Sequence, residues 1–219
     1  PALRCRADSA AVAAAARLLG EAKRPIILAG GGVHLSGAAE ELTAFARTFG
    51  IPVGHTLTGK GAIPCTDPLS AGLFGRYDRI ANGLIDKADV ILVIGCKLGE
   101  IATKRYVLPP PGATIIHLDN CADEFDRTLN PSLRLWSDVR EGIRDLGEAL
   151  SPQAAAIHAR HESYRAEVVA AMAAWRVTAD ERLTSSEKPI NVGRVMGELN
   201  RLLPADAILV ADGGFAAHW

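Results

Sequence analysis

Short apolar runs alternate with helical patterns along the first two thirds of the chain. The runs are continuous rather than alternating, as in Val90–Ile94, which is typical of parallel strands covered on both faces. Turn-forming residues bound each run. We predict strands at residues 26–29, 51–53, 90–94, 114–118, 133–136 and 207–211.

Helical spacing fills the stretches between these runs. Apolar residues recur at helical intervals over 38–49, where Ser36 is placed to cap the start of a helix and Gly50 to end it. A second apolar stripe covers 80–88, ahead of the run at 90–94. Strands alternating with helices predict an α/β fold, a Rossmann-like doubly wound parallel sheet.

The pattern changes after Leu150, which indicates a change of domain. Ser151 and Pro152 break the preceding helix, and a long helical stretch follows with one apolar face over 157–175. A polar break at 184–189 precedes a new helical pattern and the run at 207–211. We therefore divide the chain into a central α/β domain (1–150), a helical connector (151–187) and the truncated start of a further domain (188–219). On this view the chain is a fragment of a larger protein.

Composition narrows the class of protein. The chain carries 24 Lys and Arg against 25 Asp and Glu, a formal charge of −1, so a nucleic-acid partner is not expected. No apolar run reaches the roughly 18 residues of a membrane span, and no signal peptide is recognisable. The four cysteines form no C-x-x-C pair, which argues against a zinc site or a disulfide scaffold. We expect a cytoplasmic protein without a membrane partner.

Loops after the carboxyl ends of the strands are the expected ligand sites in such a sheet. The first loop begins Gly30, Gly31, Gly32 and leads into a helix, where free N–H groups can hold a phosphate. An NAD fingerprint is disfavoured, because Leu35 stands where the third glycine belongs and no acidic residue ends the next strand. The glycines either contact a nucleotide or only form a tight turn, and we favour the contact.

The second loop resembles a phosphate-binding P-loop but fails its requirements. Residues 54–60 match the G-x-x-x-x-G-K spacing, yet Gly61 follows where Ser or Thr should bind magnesium, and two prolines prevent an immediate helix. We reject an NTPase and keep Thr56 as a possible ligand contact.

Two charged residues follow the next strands. Gly95 and Lys97 end the most apolar run, and Lys97 could pair with a phosphate or remain a solvated surface lysine. Asp119 could accept hydrogen bonds from ribose hydroxyls or cap a helix starting near Ala122. No nucleophile and base are paired by a recognised motif, so we predict no catalytic residue and no metal ligand in this chain.

The order of these segments resembles the central domain of thiamine-diphosphate-dependent decarboxylases and carboligases of the acetolactate synthase-like family. The matching stretches are 24–33, 51–64, 67–75, 88–95, 115–119, 188–190 and 206–214. For the whole protein the resemblance implies thiamine diphosphate with Mg²⁺, a small-molecule 2-oxo acid or related ketone as substrate, and a homodimer or homotetramer. It also implies that the catalytic Glu and the metal motif lie outside this chain, so that the chain alone would be inactive. By the same resemblance, Gly214, Phe215 and Ala216 approach the diphosphate of thiamine diphosphate.

Central domains of that family bind FAD, bind ADP or CoA, or bind nothing. The resemblance carries over possible nucleotide contacts to Gly30, Gly31, Gly32, Thr56, Gly95, Lys97 and Asp119. FAD-binding relatives usually have Arg and an acidic residue where Lys97 and Gly99 stand, and a Met-His pair where Arg76 and Tyr77 stand, which predicts weak or absent FAD binding. The alternative is a stand-alone FAD-, ADP- or NAD-binding domain of sirtuin-like or electron-transfer-flavoprotein-like architecture.

Overall fold

The computed structural model describes residues 3–210. The chain separates into two compact units, Pro1–Ala171 and Met172–Trp219. The first unit holds the sheet, and the long helix α7 (Glu162–Leu183) begins in the first unit and ends in the second.

The first unit is built on one six-stranded sheet, in which every recorded strand pair is parallel. The strands are β1 Ile26–Ala29, β2 Val53–His55, β3 Ser70–Leu73, β4 Val90–Ile94, β5 Thr114–Asp119 and β6 Leu133–Trp136. The strand order is β3-β2-β1-β4-β5-β6, so the chain reverses direction across the sheet between β1 and β4. This order is that of a doubly wound Rossmann-like sheet and confirms the predicted α/β class.

Helices cover both faces of the sheet. The helices of this unit are α1 Ser9–Glu21, α2 Gly32–Leu35, α3 Ala39–Phe49, α4 Ala81–Ile85, α5 Val139–Leu150 and α6 Ala154–Arg160, followed by the start of α7. In β4, Leu92 packs into the apolar cluster beneath α1, α3 and α5, while its neighbours Ile91 and Val93 pack into the cluster on the opposite face. Burial on both faces explains why the strand runs are continuous.

In the first unit, β2 and β3 differ from the prediction by more than one residue. Strand β2 begins at Val53 instead of residue 51, because Pro52 has no N–H for the ladder and uses only its carbonyl, which accepts from Ile27 N–H at 2.9 Å. Strand β3 was not predicted, since Ser70 and Gly72 carry little strand propensity. Gly72 adopts a φ of +75° at an irregular register with β2.

The helix starts also differ. Ser36 does not cap the helix over 38–49 but ends the short helix α2, and its hydroxyl bonds to Asp138 at 2.7 Å and accepts from Arg140 N–H at 3.2 Å. Gly50 does end α3, in the left-handed conformation expected of a helix terminus.

The predicted helical stretch over 157–175 is interrupted at His161. This side chain is fully buried, and its two ring nitrogens lie 2.7 Å and 3.1 Å from the carbonyl oxygens of Phe49 and Ala22, at the ends of α3 and α1. Helix α6 ends there and α7 begins one residue later.

The second unit contains the end of α7 and helix α8 (Val192–Leu202), as the pattern predicted. The predicted strand at 207–211 is not formed over 207–210, and Ala211 lies outside the described residues. Ile208 is 91% exposed. A parallel strand needs a hydrogen-bonded neighbour, and in the described part of this unit no strand is available to pair with it. The assignment of 188–219 to a further domain remains a prediction.

Among residues 3–210, no helix combines the length and the apolar character needed to cross a membrane.

Candidate functional site

A cavity of about 920 Å³ lies at the carboxyl edge of the sheet. It opens between the loops that follow β1, β2 and β4, where the strand order reverses. Ligands of doubly wound sheets bind at this position. Six of the residues predicted as nucleotide contacts line it, namely Gly30, Gly31, Gly32, Thr56, Gly95 and Lys97.

Glycines allow the first and third loops to pack backbone against backbone at the floor of the cavity. Gly30 N–H donates to Ile94 O at 2.9 Å and Gly32 N–H donates to Gly95 O at 3.0 Å. A Cβ on Gly30 would lie 2.2 Å from Gly95 O, and a Cβ on Gly32 would lie 2.6 Å from Gly95 Cα. This close approach accounts for Gly30 and Gly32, while a phosphate contact by this loop remains a prediction.

Thr56 holds the second loop against the first. Its N–H donates to Ala29 O at 3.0 Å, and its hydroxyl accepts from Gly59 N–H at 3.0 Å. Gly59 is required here, because a Cβ would lie 2.3 Å from Ala29 O. The residues after Gly61 form turns and no helix before β3, in agreement with the rejection of a P-loop.

The loop after β4 supplies a cavity wall that the sequence pattern does not reveal. Residues 98–102 line the cavity beside Lys97. Buried Thr103 holds this wall, since its hydroxyl donates to Gly99 O at 3.0 Å and accepts from Tyr106 N–H at 3.0 Å. The loop folds back on the turn after β3, where Arg76 N–H donates to Ile101 O at 2.9 Å.

Lys97 is an exposed lysine with an ion-pair partner. Its Nζ lies 3.2 Å from Glu124 Oε1, and its side chain is 77% exposed. Glu124 ends the 3₁₀ turn Ala122–Glu124 after β5, and its carboxylate also binds Arg127. The two interpretations of Lys97 from the sequence, a phosphate contact or a solvated lysine, did not include an ion pair with Glu124.

Asp119 does not line the cavity. Its carboxylate is buried at the end of β5 and accepts from Cys121 N–H at 2.9 Å, which closes a turn before the residues 122–124. The 3₁₀ turn Ala122–Glu124 has no side-chain cap, so Asp119 does not cap it, and a contact with ribose hydroxyls remains a prediction. Gly214, Phe215 and Ala216 lie outside the described residues.

Burial shifts the pKa of two side chains near the cavity, Cys96 and His55, toward the neutral form. Burial raises the pKa of the Cys96 thiol to about 12, so it is no thiolate nucleophile at neutral pH. Burial lowers the pKa of His55, whose Nδ1 donates to Thr56 O at 3.0 Å. Within residues 3–210, no group of three or more His, Cys, Asp or Glu side chains could hold a metal ion.

Comparison with known proteins points to one family. A model described as "Thiamine pyrophosphate enzyme, central domain" matches residues 12–146. The probable acetolactate synthase large subunit of Methanocaldococcus jannaschii is 39% identical over 137 residues, which cover 62% of this chain and 23% of that protein.

Plant proteins are similar as well. Probable acetolactate synthase 2, chloroplastic, of Oryza sativa subsp. japonica is 31% identical over 197 residues, 90% of this chain and 28% of that protein. Acetolactate synthase 1, chloroplastic, of Zea mays is 35% identical over 135 residues, 61% of this chain and 21% of that protein. The chain thus spans about a quarter of the length of these curated relatives. These matches do not favour a stand-alone sirtuin-like or electron-transfer-flavoprotein-like domain.

Proposed function

The chain belongs to the thiamine pyrophosphate enzyme family, whose central domain it carries in residues 12–146, and on that premise we propose that it is part of a thiamine-diphosphate-dependent carboligase of acetolactate synthase type. The whole protein would decarboxylate a 2-oxo acid, or cleave a related ketone, and transfer the product to an acceptor. Within that protein, the cavity at the carboxyl edge of the sheet binds an adenine nucleotide.

One observation carries the nucleotide proposal: a cavity of about 920 Å³ lies where the strand order reverses, and its floor is glycine backbone. The volume accommodates a mononucleotide or a dinucleotide. Glycines without side chains let a flat or charged group approach the sheet edge closely. The residues present therefore fit a nucleotide.

From the residues that line the cavity, we assign its parts to parts of the ligand. Gly31, Thr56 and Thr58 line the cavity beside the glycine floor, and we assign hydrogen bonds with the ligand to their backbone and hydroxyl groups. Lys97 supplies the cation for a diphosphate. Phe74 and other apolar side chains form a wall for a ring system.

Thiamine diphosphate and Mg²⁺ are proposed for the whole protein only. Thiamine diphosphate, when bound, supplies the thiazolium that stabilises the carbanion of the reaction. The described residues do not fit either group, because they hold no cluster of metal-ligating side chains, and the proposed diphosphate contacts 214–216 lie outside them. We expect that the chain alone forms no acetolactate from pyruvate in the presence of thiamine diphosphate and Mg²⁺. Product formation by the chain alone would contradict its assignment as a support domain.

Isothermal titration with ADP and with FAD tests the cavity. We expect ADP to bind and FAD to bind more weakly, because Lys97 and Gly99 replace the Arg and acidic residue of flavin-binding relatives. A protein that purifies yellow with one flavin per chain would contradict the second expectation.

A variant that fills the cavity completes the test. Gly99 lines the cavity, and a Cβ there meets no atom within 4 Å, so Gly99→Phe narrows the cavity without a clash at the Cβ. Gly83 in α4 is equally free of neighbours but does not line the cavity, so Gly83→Phe is the matched control. We expect ADP affinity to fall at least about tenfold in Gly99→Phe and to stay unchanged in the control. Equal affinities, or no ADP and no FAD binding by the unaltered chain, would refute the proposal.

Assembly and location complete the proposal. We propose a homodimer or homotetramer for the whole protein, which light scattering would test, and a cytoplasmic location. The four cysteines are free, as is usual in a reducing compartment. Cell fractionation with an antibody against the chain would test the location, and recovery in an organelle would contradict it.

A further inference from the structure

Three charged residues form a small network beside the cavity. Glu124 stands at its centre with a side chain only 5% exposed. Lys97 Nζ lies 3.2 Å from Glu124 Oε1, and Arg127 Nη1 lies 3.2 Å from each carboxylate oxygen. Lys97 and Arg127 are both mostly exposed, at 77% and 63%, so one buried anion pairs with two exposed cations.

The two cations differ in their surroundings. Lys97 lines the cavity, whereas Arg127 does not. Lys97 therefore has two possible anionic partners, the Glu124 carboxylate and an anion in the cavity, while Arg127 has Glu124 within ion-pair distance. A lysine side chain has a flexible four-carbon stem and readily changes partner.

Arg127 makes that change of partner inexpensive. A buried carboxylate left without a cation would oppose the departure of Lys97. Because Arg127 already contacts both oxygens, Glu124 stays paired when Lys97 leaves.

We propose that Glu124 and Arg127 are positioning residues that set the availability of Lys97 for an anionic ligand of the cavity. Glu124 holds Lys97 when the cavity is empty and competes with the phosphates of the ligand. Arg127 weakens that competition by keeping Glu124 paired. The proposal rests on the proposed nucleotide site and adds to it how phosphate affinity is regulated.

Removal of the Glu124 carboxylate should strengthen ADP binding rather than weaken it. If Glu124 only braced the loop, its removal would weaken ligand binding. Here, Glu124→Gln releases Lys97 and should tighten ADP binding about two- to fivefold, a modest factor because the Lys97 ammonium of the pair is exposed to solvent. Arg127→Gln leaves Lys97 as the partner of Glu124 and should weaken ADP binding by a similar factor.

Isothermal titration of the 219-residue chain with ADP at low ionic strength tests this prediction. Lys97→Met should weaken ADP binding and remove the effect of Glu124→Gln in the double variant. Asp126→Asn is the matched control, since it also removes one negative charge from this loop, and Asp126 pairs instead with exposed Arg134. The control should leave the ADP dissociation constant within about twofold of the unaltered chain.

The outcomes separate the two proposals. If the unaltered chain binds neither ADP nor FAD, the nucleotide site is refuted, and this inference with it. If the unaltered chain binds ADP but Glu124→Gln weakens binding or has no effect, only this inference is refuted. Circular dichroism checks the fold of each variant. Should Glu124→Gln not fold, Arg127→Gln measured with and without Lys97→Met decides, because an equal loss in both backgrounds would overturn the role of Arg127.

Discussion

Replacement of Gly95 by Ala tests the close contact between the loops after β1 and β4. Gly95 has a φ of +53°, a conformation that costs an L-residue about 1 kcal/mol or more. A Cβ there would also lie 2.7 Å from Gly32 Cα and 3.1 Å from Val33 N, both backbone atoms at the sheet edge. Neither can rotate away as the end of a side chain would.

Substitutions at two other glycines separate the cost of the positive φ from the cost of the close backbone contact. Gly37 has a similar φ of +63° with no atom within 4 Å of its Cβ position, so Gly37→Ala measures the conformational cost alone. Gly99 has neither a positive φ nor a neighbour within 4 Å, so Gly99→Ala is the reference. We expect losses in the free energy of unfolding of about 3 kcal/mol for Gly95→Ala, about 1 for Gly37→Ala and less than about 0.5 for Gly99→Ala.

Urea unfolding followed by circular dichroism measures all three variants under one condition. Equal midpoints for Gly95→Ala and Gly37→Ala would refute the reasoning, because the backbone contact would then contribute nothing. A loss in Gly99→Ala comparable to that in Gly37→Ala would show that the series does not isolate the backbone conformation.

The remaining predictions concern the core, a helix start and pH. Leu92→Ala removes a fully buried side chain of β4 and should lower the free energy of unfolding, measured in urea, by about 2–5 kcal/mol. Leu57→Ala, at a 55% exposed position, should change that free energy little. Similar losses in the two variants would contradict the difference in burial. Asp138→Ala removes the carboxylate that accepts from Arg140 N–H at 3.0 Å and should cost about 1–2 kcal/mol, with Asn in its place retaining most of the stability. Burial lowers the pKa of His55 and of His117, so the folded chain binds fewer protons than the unfolded chain once pH falls below the ordinary His value of about 6.5. The free energy of unfolding should therefore decrease as pH is lowered from about 7 to about 5.5, less so in His117→Gln, and a flat profile would contradict the lowered pKa values.

The strands were predictable where local pattern and burial agree. The runs at 26–29, 90–94 and 133–136 form strands with the predicted bounds, and β5 extends the run at 114–118 by one residue. These runs are apolar at successive positions because helices cover both faces of the central sheet. Strand β3 could not be predicted from the local pattern, because Ser70 and Gly72 carry little strand propensity. Pairing with β2 stabilises it.

The candidate site was predictable in outline only. Strand ends in a parallel sheet share one edge, so the loops at 30–32, at Thr56 and at 95–97 could be brought together from sequence alone. The partner of Lys97 could not, since Glu124 lies 27 residues further along the chain, after the adjacent strand. Asp119 lies at the same edge, but its carboxylate accepts from Cys121 N–H in a local turn, and Asp119 does not line the cavity.

The sequence by itself determined the class of fold, the central strands and the edge of the sheet where a ligand would bind, because these follow from hydrophobic periodicity and from turn residues that act locally. Only the tertiary structure decided which loops form the cavity walls. Residues 98–102 join the lining because Arg76 binds the backbone of Ile101 and Thr103 ties the loop to itself. Only folding brings Lys97 to a buried carboxylate that Arg127 also binds. Contacts of this kind depend on distances between segments remote in sequence, which no local pattern encodes.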